Sequence, residues 1–215
     1  MDDMWRQRQS EEAFRPLVAF DFDGTLTWRD SFTDFLAWRA GPARYVAGVA
    51  RLLPAGLQYL TRHDRGRFKA AAVREFLGGT SRADLESQAQ AFATERARAL
   101  LRPDAVRAWR RWQAQGARLV IVTATPEIVV APIARGLGAD VLIGTRLLFD
   151  EGGRVAGGLD GLNCRGSEKV RRLRETFGSD VQLEAAYGDS DGDREMLDLA
   201  EERGMKVFTG APAKG

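Results

Sequence analysis

Short apolar runs that end at Gly, Asp or Thr alternate with longer segments of helical period along this chain, and that alternation limits the fold more than any other feature. The runs are Leu17 to Phe20, Leu119 to Val122, Val141 to Ile143, Leu183 to Tyr187 and Lys206 to Phe208. Strands buried on both faces read as continuous apolar stretches and are joined by helical crossovers, so the pattern predicts an α/β domain with a mainly parallel sheet. Helix signals fall between the runs. Pro103 suits a first helical position with Gly116 just past the end, Thr125 can cap a helix beginning at Pro126-Glu127, and Asp191 to Arg203 reads as a helix stopped by Gly204. Thr145 to Phe149 and Arg154 to Ala156 flank Asp150-Glu151-Gly152-Gly153, which predicts a small antiparallel hairpin.

About a hundred residues separate the first two runs, far more than a crossover needs. The insert, from about residue 31 to 100, is rich in Ala, Leu, Arg and Phe, carries helix-period runs and has a capping signal at Ser81 with Asp84. It is expected to form an all-helical cap domain. The division expected is an N-terminal arm over 1–15, a core from 16–30 and 101–215, and a cap over 31–100. The arm lacks the apolar segment of a secretory signal, and Arg44 and Arg51 interrupt the most apolar stretch, so a cytoplasmic protein is expected.

Composition narrows the chemistry. The 215 residues carry 32 basic and 30 acidic side chains, a near balance that does not suggest a nucleic-acid partner. Only four of the basic residues are lysine (Lys69, Lys169, Lys206, Lys214), and Cys164 and His63 are single. No internal disulfide or Cys/His zinc site can form, and a Ser-His-Asp or Cys-His centre would have to run through His63. Carboxylates are the remaining chemical resource, and three strand ends and one helix start hold the relevant groups.

The first is Asp21-Phe22-Asp23-Gly24-Thr25, two acids at the carboxyl end of a buried strand, where open α/β sheets bind ligands. Taken alone this is equally a turn. The second is Thr123-Ala124-Thr125, where hydroxyl residues leave the sheet, and the third is Lys169, a cation in a helix first turn that ordinarily favours an acid. The fourth is Gly188-Asp189-Ser190-Asp191-Gly192-Asp193, whose carboxylates repel by about 4 kcal/mol per pair at 4 Å and an effective dielectric near 20. A divalent cation would relieve that repulsion.

In this order and at these places, the four elements resemble the haloacid dehalogenase superfamily of phosphotransferases, with its DxDGT loop, a Ser or Thr after the second strand, a helix-start Lys and a GDxxxD loop. The resemblance spans residues 17 to about 208 and implies a three-layer Rossmann-like core. An insert between the first two motifs is similar to the helical-cap branch typified by phosphoserine phosphatase. Gly144-Thr145 with the hairpin, followed by Asn163-Cys164-Arg165-Gly166, resembles a bacterial subgroup that includes phosphatidylglycerophosphatase C-like proteins.

The resemblance implies a phosphomonoester hydrolase. Asp21 would be the nucleophile forming an aspartyl-phosphate, and Asp23 the acid that protonates the leaving group and then activates water. Mg²⁺ would be held by the Asp21 carboxylate, the Asp23 carbonyl and the Asp189 carboxylate. Gly24, Thr123, Ala124 and Lys169 would bind the phosphoryl oxygens, with Asp193 supporting Lys169 or a water. A carboxylate attacking an anionic phosphoryl group needs such positive charge. The presence of Asp23 resembles the superfamily's phosphatases and mutases rather than its ATPases or dehalogenases. Transfer to another alcohol, or a non-catalytic phosphate- or metal-binding role, stand as alternatives.

Other motifs fail on named positions. An EF-hand loop from Asp189 would have Arg194 in place of its Gly and Ala200 in place of its Glu, and Ser167-Glu168 follows Gly161 to Gly166 where a P-loop needs Lys and Ser/Thr. Cys164 has Val170 where a cysteine phosphatase needs Arg, and reads as a small packed hydrophobe. Specificity falls to the cap: Asp30, an ammonium ligand or a plain helix-start acid; Phe32, shaping the mouth with Trp28 and Phe35; and Arg65 and Arg67, within a basic run from Arg62 to Lys69. The substrate expected is a small phosphorylated metabolite such as phosphoserine, or a lipid head-group phosphate. Val46, Val49, Ala50, Leu53, Leu57 and Leu60 form a helical stripe that reads either as cap core or as a surface for a membrane or partner. No obligate protein partner is indicated.

Overall fold

The computed structural model describes residues 15–62 and 64–212. Most of the N-terminal arm and His63 lie outside them, as do the side chains of Leu60 and Arg62. Five parallel strands form the main sheet: β1 (Leu17–Phe20), β2 (Arg118–Pro126), β3 (Val141–Thr145), β6 (Leu183–Gly188) and β7 (Ala200–Met205), in the order β3-β2-β1-β6-β7. The short strands β4 (Leu147–Phe149) and β5 (Val155–Leu159) pair antiparallel as the separate hairpin.

Strand alternation sends side chains to both faces of the sheet, and each face has its own apolar cluster. Val18, Phe20, Leu119 and Ile121 meet α6 (Pro103–Ala114) through Trp109 and α7 (Glu127–Leu137) through Val130 and Ile133. Ala19, Val120 and Val122 meet α8 (Ser167–Phe177) through Leu173, and the short α9 (Arg194–Leu197) through Met196. The result is a three-layer α/β core.

Between β1 and β2 lie five helices: α1 (Ser31–Ala40), α2 (Pro42–Arg51), α3 (Leu53–Arg62), α4 (Arg65–Leu77) and α5 (Arg82–Leu100). Their starts follow local chemistry. Asp30, Asp64 and Ser81 each accept from a backbone N–H of the first turn, and Pro42 occupies an early position where its missing donor costs nothing. Pro54 falls in the first turn of α3, so the chain breaks at Leu52 into two ten-residue helices. Phe35, Phe76 and Phe92 from these helices join the same cluster as Phe20 and Trp109, which welds the cap to one face of the core.

The hairpin grips the cap from the other side. Gly79 N–H donates to Val155 O, Val155 N–H to Thr80 O and Arg82 N–H to Gly153 O, each at 2.9 Å, while the Arg154 guanidinium donates to Gly79 O at 2.9 Å. The Arg82 guanidinium also lies 3.8 Å from the Phe149 ring centroid.

Three expectations fail here. The segment from Asp191 is a 3₁₀ turn (Asp191–Asp193) and the four-residue α9, and the last strand is Ala200–Met205 rather than Lys206 to Phe208. The charged run Glu201-Glu202-Arg203 is helix-like in composition but pairs along β6 at the sheet edge, where charge is tolerated and discourages further pairing. Gly204 is no helix stop. A Cβ there would lie 2.3 Å from the Tyr187 ring, so the glycine lets that ring pack on the strand. Thr125 does not cap α7 either. It remains in β2, and Pro126 is the capping residue without a side-chain bond.

Candidate active site

The carboxyl ends of β1, β2 and β6 converge with the start of α8 beneath the cap. At the centre is the Lys169 ammonium, fully buried, which donates to Asp21 Oδ1 at 2.5 Å, to the Val122 carbonyl at 2.6 Å and to Asp193 Oδ1 at 2.7 Å. Three acceptors meet the three N–H donors of the ammonium. Its place in a helix first turn, contrary to the dipole, is thereby explained by two buried carboxylates. Burial disfavours the charged lysine, but Asp21 and Asp193 outweigh it and raise its pKa above the ordinary range.

Asp193 is fixed from its other side. Its Oδ2 accepts from Asp189 N–H at 3.2 Å, Ser190 N–H at 2.9 Å and Ser190 Oγ at 2.9 Å. Burial alone would raise its pKa, yet Lys169 and these donors hold it below the usual carboxylate value. Asp21 differs, because burial outweighs Lys169 and, with Asp193 and Asp23 nearby, pushes its carboxyl up to about 7. Asp189 is raised as well, by burial and by Asp193.

Asp21, Asp189 and Asp193 each offer a carboxylate oxygen, all within 4.8 Å of one another. Gly24, with φ of 83°, packs so close that a Cβ would lie 2.2 Å from Asp189 Oδ2. The glycine is therefore required twice, for the left-handed turn and for the approach of the two loops. Hard oxygen donors that disfavour one another's charge suit a magnesium ion, whose binding would favour the ionised acids. The residues fit such an ion: both oxygens of Asp193 are engaged, by Lys169 and by Ser190 with Asp189 N–H, whereas Asp21 keeps Oδ2 and Asp189 its carboxylate for a metal.

Asp23 is set apart from that cluster. Its Oδ1 accepts from Ser31 N–H at 2.7 Å and its Oδ2 from the Thr125 hydroxyl at 2.5 Å. Burial first, and then Asp30, raise its pKa; the Ser31 and Thr125 donors oppose the shift. Two carboxylates from one loop thus have different surroundings, one against a lysine and the other against a hydroxyl and an amide. Thr123 Oγ1 accepts from Thr125 N–H at 3.0 Å and faces the cleft beside Ala124.

Above these groups opens a cleft of about 660 Å³. Asp21, Asp23, Thr123, Ala124, Lys169, Asp189 and Asp193 are brought together on its floor. Of the cap residues singled out in the sequence, Phe32, Arg65 and Asp30 reach its wall. Asp30 is the N-cap of α1 and accepts from Thr33 N–H at 2.6 Å, the helix-start reading. Arg67 does not line the cleft. It pairs with Asp64 at 3.1 Å on the exposed outer side of α4. Phe35 is buried in the apolar cluster, and Trp28, partly exposed, donates from Nε1 to Ala99 O at 2.8 Å. Cys164 is a buried thiol, with its pKa pushed up to about 11 by burial, consistent with packing rather than catalysis.

The model of the haloacid dehalogenase-like hydrolases matches residues 18–198. The chain belongs to that family. It is 61% identical over 197 residues to Protein CicA of Caulobacter vibrioides, covering 92% of this chain and 88% of that protein. It is 32% identical over 189 residues to a phosphoserine phosphatase of Halobacterium salinarum, covering 86% and 82%. A solved structure of a Bordetella pertussis Tohama I protein of unknown function matches at a TM-score of 0.73 and 26% identity, over 88% of both chains. This haloacid dehalogenase-like hydrolase falls on the phosphoserine phosphatase-like branch.

Two site residues escaped the sequence reading. Thr125 looked like a helix cap, and the short bond to Asp23 has no signature in one sequence. Lys69 was only one member of a basic run, yet its ammonium enters the cleft, donates to Ala124 O at 2.5 Å and lies 6.0 Å from the Phe32 ring centroid. Burial lowers its pKa, against the pull of Asp23 and Asp30. Its being one of four lysines in an arginine-rich chain was the available signal.

Proposed function

We propose that this phosphatase is a Mg²⁺-dependent phosphomonoesterase working through an aspartyl-phosphate on Asp21. The observation that carries the reading is the division of labour between two acids of one loop: Asp21 lies against Lys169, and Asp23 is held separately by Thr125 and Ser31. Asp21 Oδ attacks phosphorus while the bond to the leaving oxygen breaks, and Asp23, whose raised pKa favours a held proton, protonates that oxygen. Asp23 then takes a proton from water, whose oxygen attacks phosphorus and releases phosphate from Asp21.

Asp21, the Asp23 carbonyl and Asp189 would hold Mg²⁺, which when bound offsets phosphoryl charge. Lys169 anchors Asp21 and offers positive charge to the equatorial oxygens, and Thr123 with the backbone around Gly24 and Ala124 completes their cradle.

Selection of the alcohol falls to the cap. Phe32, Leu36, Val49, Leu52, Leu53 and Phe76 wall the cleft with apolar surface, which supports a lipid head-group phosphate. Arg65 and Lys69 would meet an additional anion, as on a small metabolite such as phosphoserine, but Asp30 already has one oxygen engaged as an N-cap. A side-by-side assay of p-nitrophenyl phosphate, phosphoserine, sugar phosphates and phosphatidylglycerophosphate with Mg²⁺ tests the reading. Turnover of at least one ester is expected, with a loss of ~10³-fold or more in Asp21→Asn. Full activity in that variant, or none of the wild type on the whole panel, would overturn it.

A further inference from the structure

Outside the cleft, Arg29 pairs with Asp34 at 2.8 Å, Arg67 with Asp64 at 3.1 Å and Arg203 with Asp198 at 2.8 Å. Three cations on the cleft wall have no carboxylate within salt-bridge distance among the described residues: Arg65 and Lys69 of α4, and Arg165 in the loop before α8. Water screens a lone charge on open surface, but like charges that share a cleft add their fields and attract an anion.

The fold brings the three together. Arg65 and Lys69 stand one turn apart on one face of α4, a spacing at which like charges repel. The first turn of that helix holds no acid, and Asp64 is engaged by Arg67, so the helix dipole adds to the cations. Gly66 seats α4 against the core loop, since a Cβ there would lie 3.8 Å from Asn163 Cβ, two residues before Arg165. Arg165 Nη1 donates to Ser190 Oγ at 3.0 Å, and a Cβ on Gly192 would lie 2.3 Å from it, which fixes the guanidinium over the acidic loop. Donors remain on every member. Lys69 uses one N–H on Ala124 O, Arg165 Nε and Nη2 bond to nothing among the described residues, and neither do the amide N–H groups of Asn163.

We propose that Arg65, Lys69, Asn163 and Arg165 form a second anion subsite, which holds a phosphate group carried by the alcohol portion of the ester. This rests on the reading of the cleft floor as a phosphomonoesterase centre and names its substrate class: a monoester with a second phosphate a short linker away. Guanidinium forks match the paired oxygens of a phosphate, and Lys69 adds a point charge. A carboxylate beside an ammonium fits less well. Among the described residues the cap lends the cleft one acid, Asp30, and Thr33 N–H already occupies its Oδ1. The second phosphate is either the free group of a small bisphosphate or the diester of a lipid headgroup, which present the same kind of oxygen.

Calorimetric titration of the full-length Asp21→Asn chain with Mg²⁺ present tests the proposal. Glycerol 1,3-bisphosphate is expected to bind ~10-fold or more tightly than glycerol 3-phosphate, which lacks the second group. Arg65→Gln with Lys69→Gln should remove that advantage, and Arg165→Gln, on the core side of the cleft, should reduce it independently. With Asp21 intact, the gain in kcat/KM of the bisphosphate over the monophosphate should lie in KM and fall with the same substitutions. Short-chain phosphatidylglycerophosphate separates the two sources: an advantage larger on the lipid and lost in these variants places a diester in the subsite, and one larger on the bisphosphate places a free phosphate there. Equal affinity for glycerol 3-phosphate and both ligands with a second phosphate, or an advantage that survives all three substitutions, would overturn the proposal. Phosphoserine matching the bisphosphate, with the same dependence on these residues, would assign the subsite to a carboxylate and overturn it too. If the wild type hydrolysed no ester, the catalytic reading would fall, while the affinity ratio would still decide this one.

Discussion

Two lysines enter the cleft from opposite sides and sit in unlike surroundings. Lys169, from the core, gives its three protons to Asp21, Val122 and Asp193, all within 2.7 Å. Lys69, from the cap, meets one backbone carbonyl and no carboxylate within salt-bridge distance among the described residues. A buried cation with a complete set of partners belongs to the framework, whereas one with donors to spare is placed to receive something that arrives.

The comparison breaks most visibly at Lys169. Lys169→Met leaves Asp21 and Asp193 buried without their cation, and kcat is expected to fall by ~10³-fold, with circular dichroism showing whether the fold persists. A loss under tenfold in a folded variant would show that Lys169 is not the central counter-charge. Lys69→Met should cost less, about tenfold in kcat/KM and mostly as a higher KM, since it removes a group that binds the arriving alcohol portion. A fall confined to kcat would place Lys69 with the core machinery instead.

The smallest expected effect, and the most specific, is at Thr125. Burial already raises the Asp23 pKa, and the Thr125 hydroxyl opposes that by stabilising the carboxylate. Thr125→Val removes the donor, so the Asp23 pKa rises further. The limb of the pH profile that requires ionised Asp23 should move to higher pH, with a loss of a few-fold at neutrality. Ionised Asp23 is the form that activates water in the second step, so the profile to follow is that of kcat, and an unmoved kcat profile would mean that Asp23 does not titrate in that step.

What was legible in the sequence follows from burial. β1, β2, β3 and β6 lie inside the sheet or against its helices and so are written as apolar runs, with their chemical residues at the ends. β3 and β7 are both edge strands, but β3 ends in buried residues while β7 exposes Glu201, Glu202, Arg203 and Met205, so Ala-Glu-Glu-Arg-Gly-Met carries no such run; the pairing with β6 overrides a helical composition. The motif residues were legible because their spacing is local, whereas the Thr125–Asp23 and Lys69–Ala124 contacts join residues 102 and 55 positions apart. The stripe of α2 and α3 was visible as a period, but a period defines a face without saying what the face meets.

The grip of the β4–β5 hairpin on the α4–α5 turn has a consequence for anyone redesigning this enzyme. The cap is tethered by its two chain connections, by the shared aromatic cluster and by a short stretch of sheet-like bonding to Gly79, Thr80 and Arg82. Exchanging the whole insert would therefore demand a matching hairpin some seventy residues downstream. The separable cassette is smaller: α2 and α3, bounded by Gly41 and Asp64, whose outward side chains can be rewritten without touching either the catalytic loops or the clasp that positions the rest of the cap.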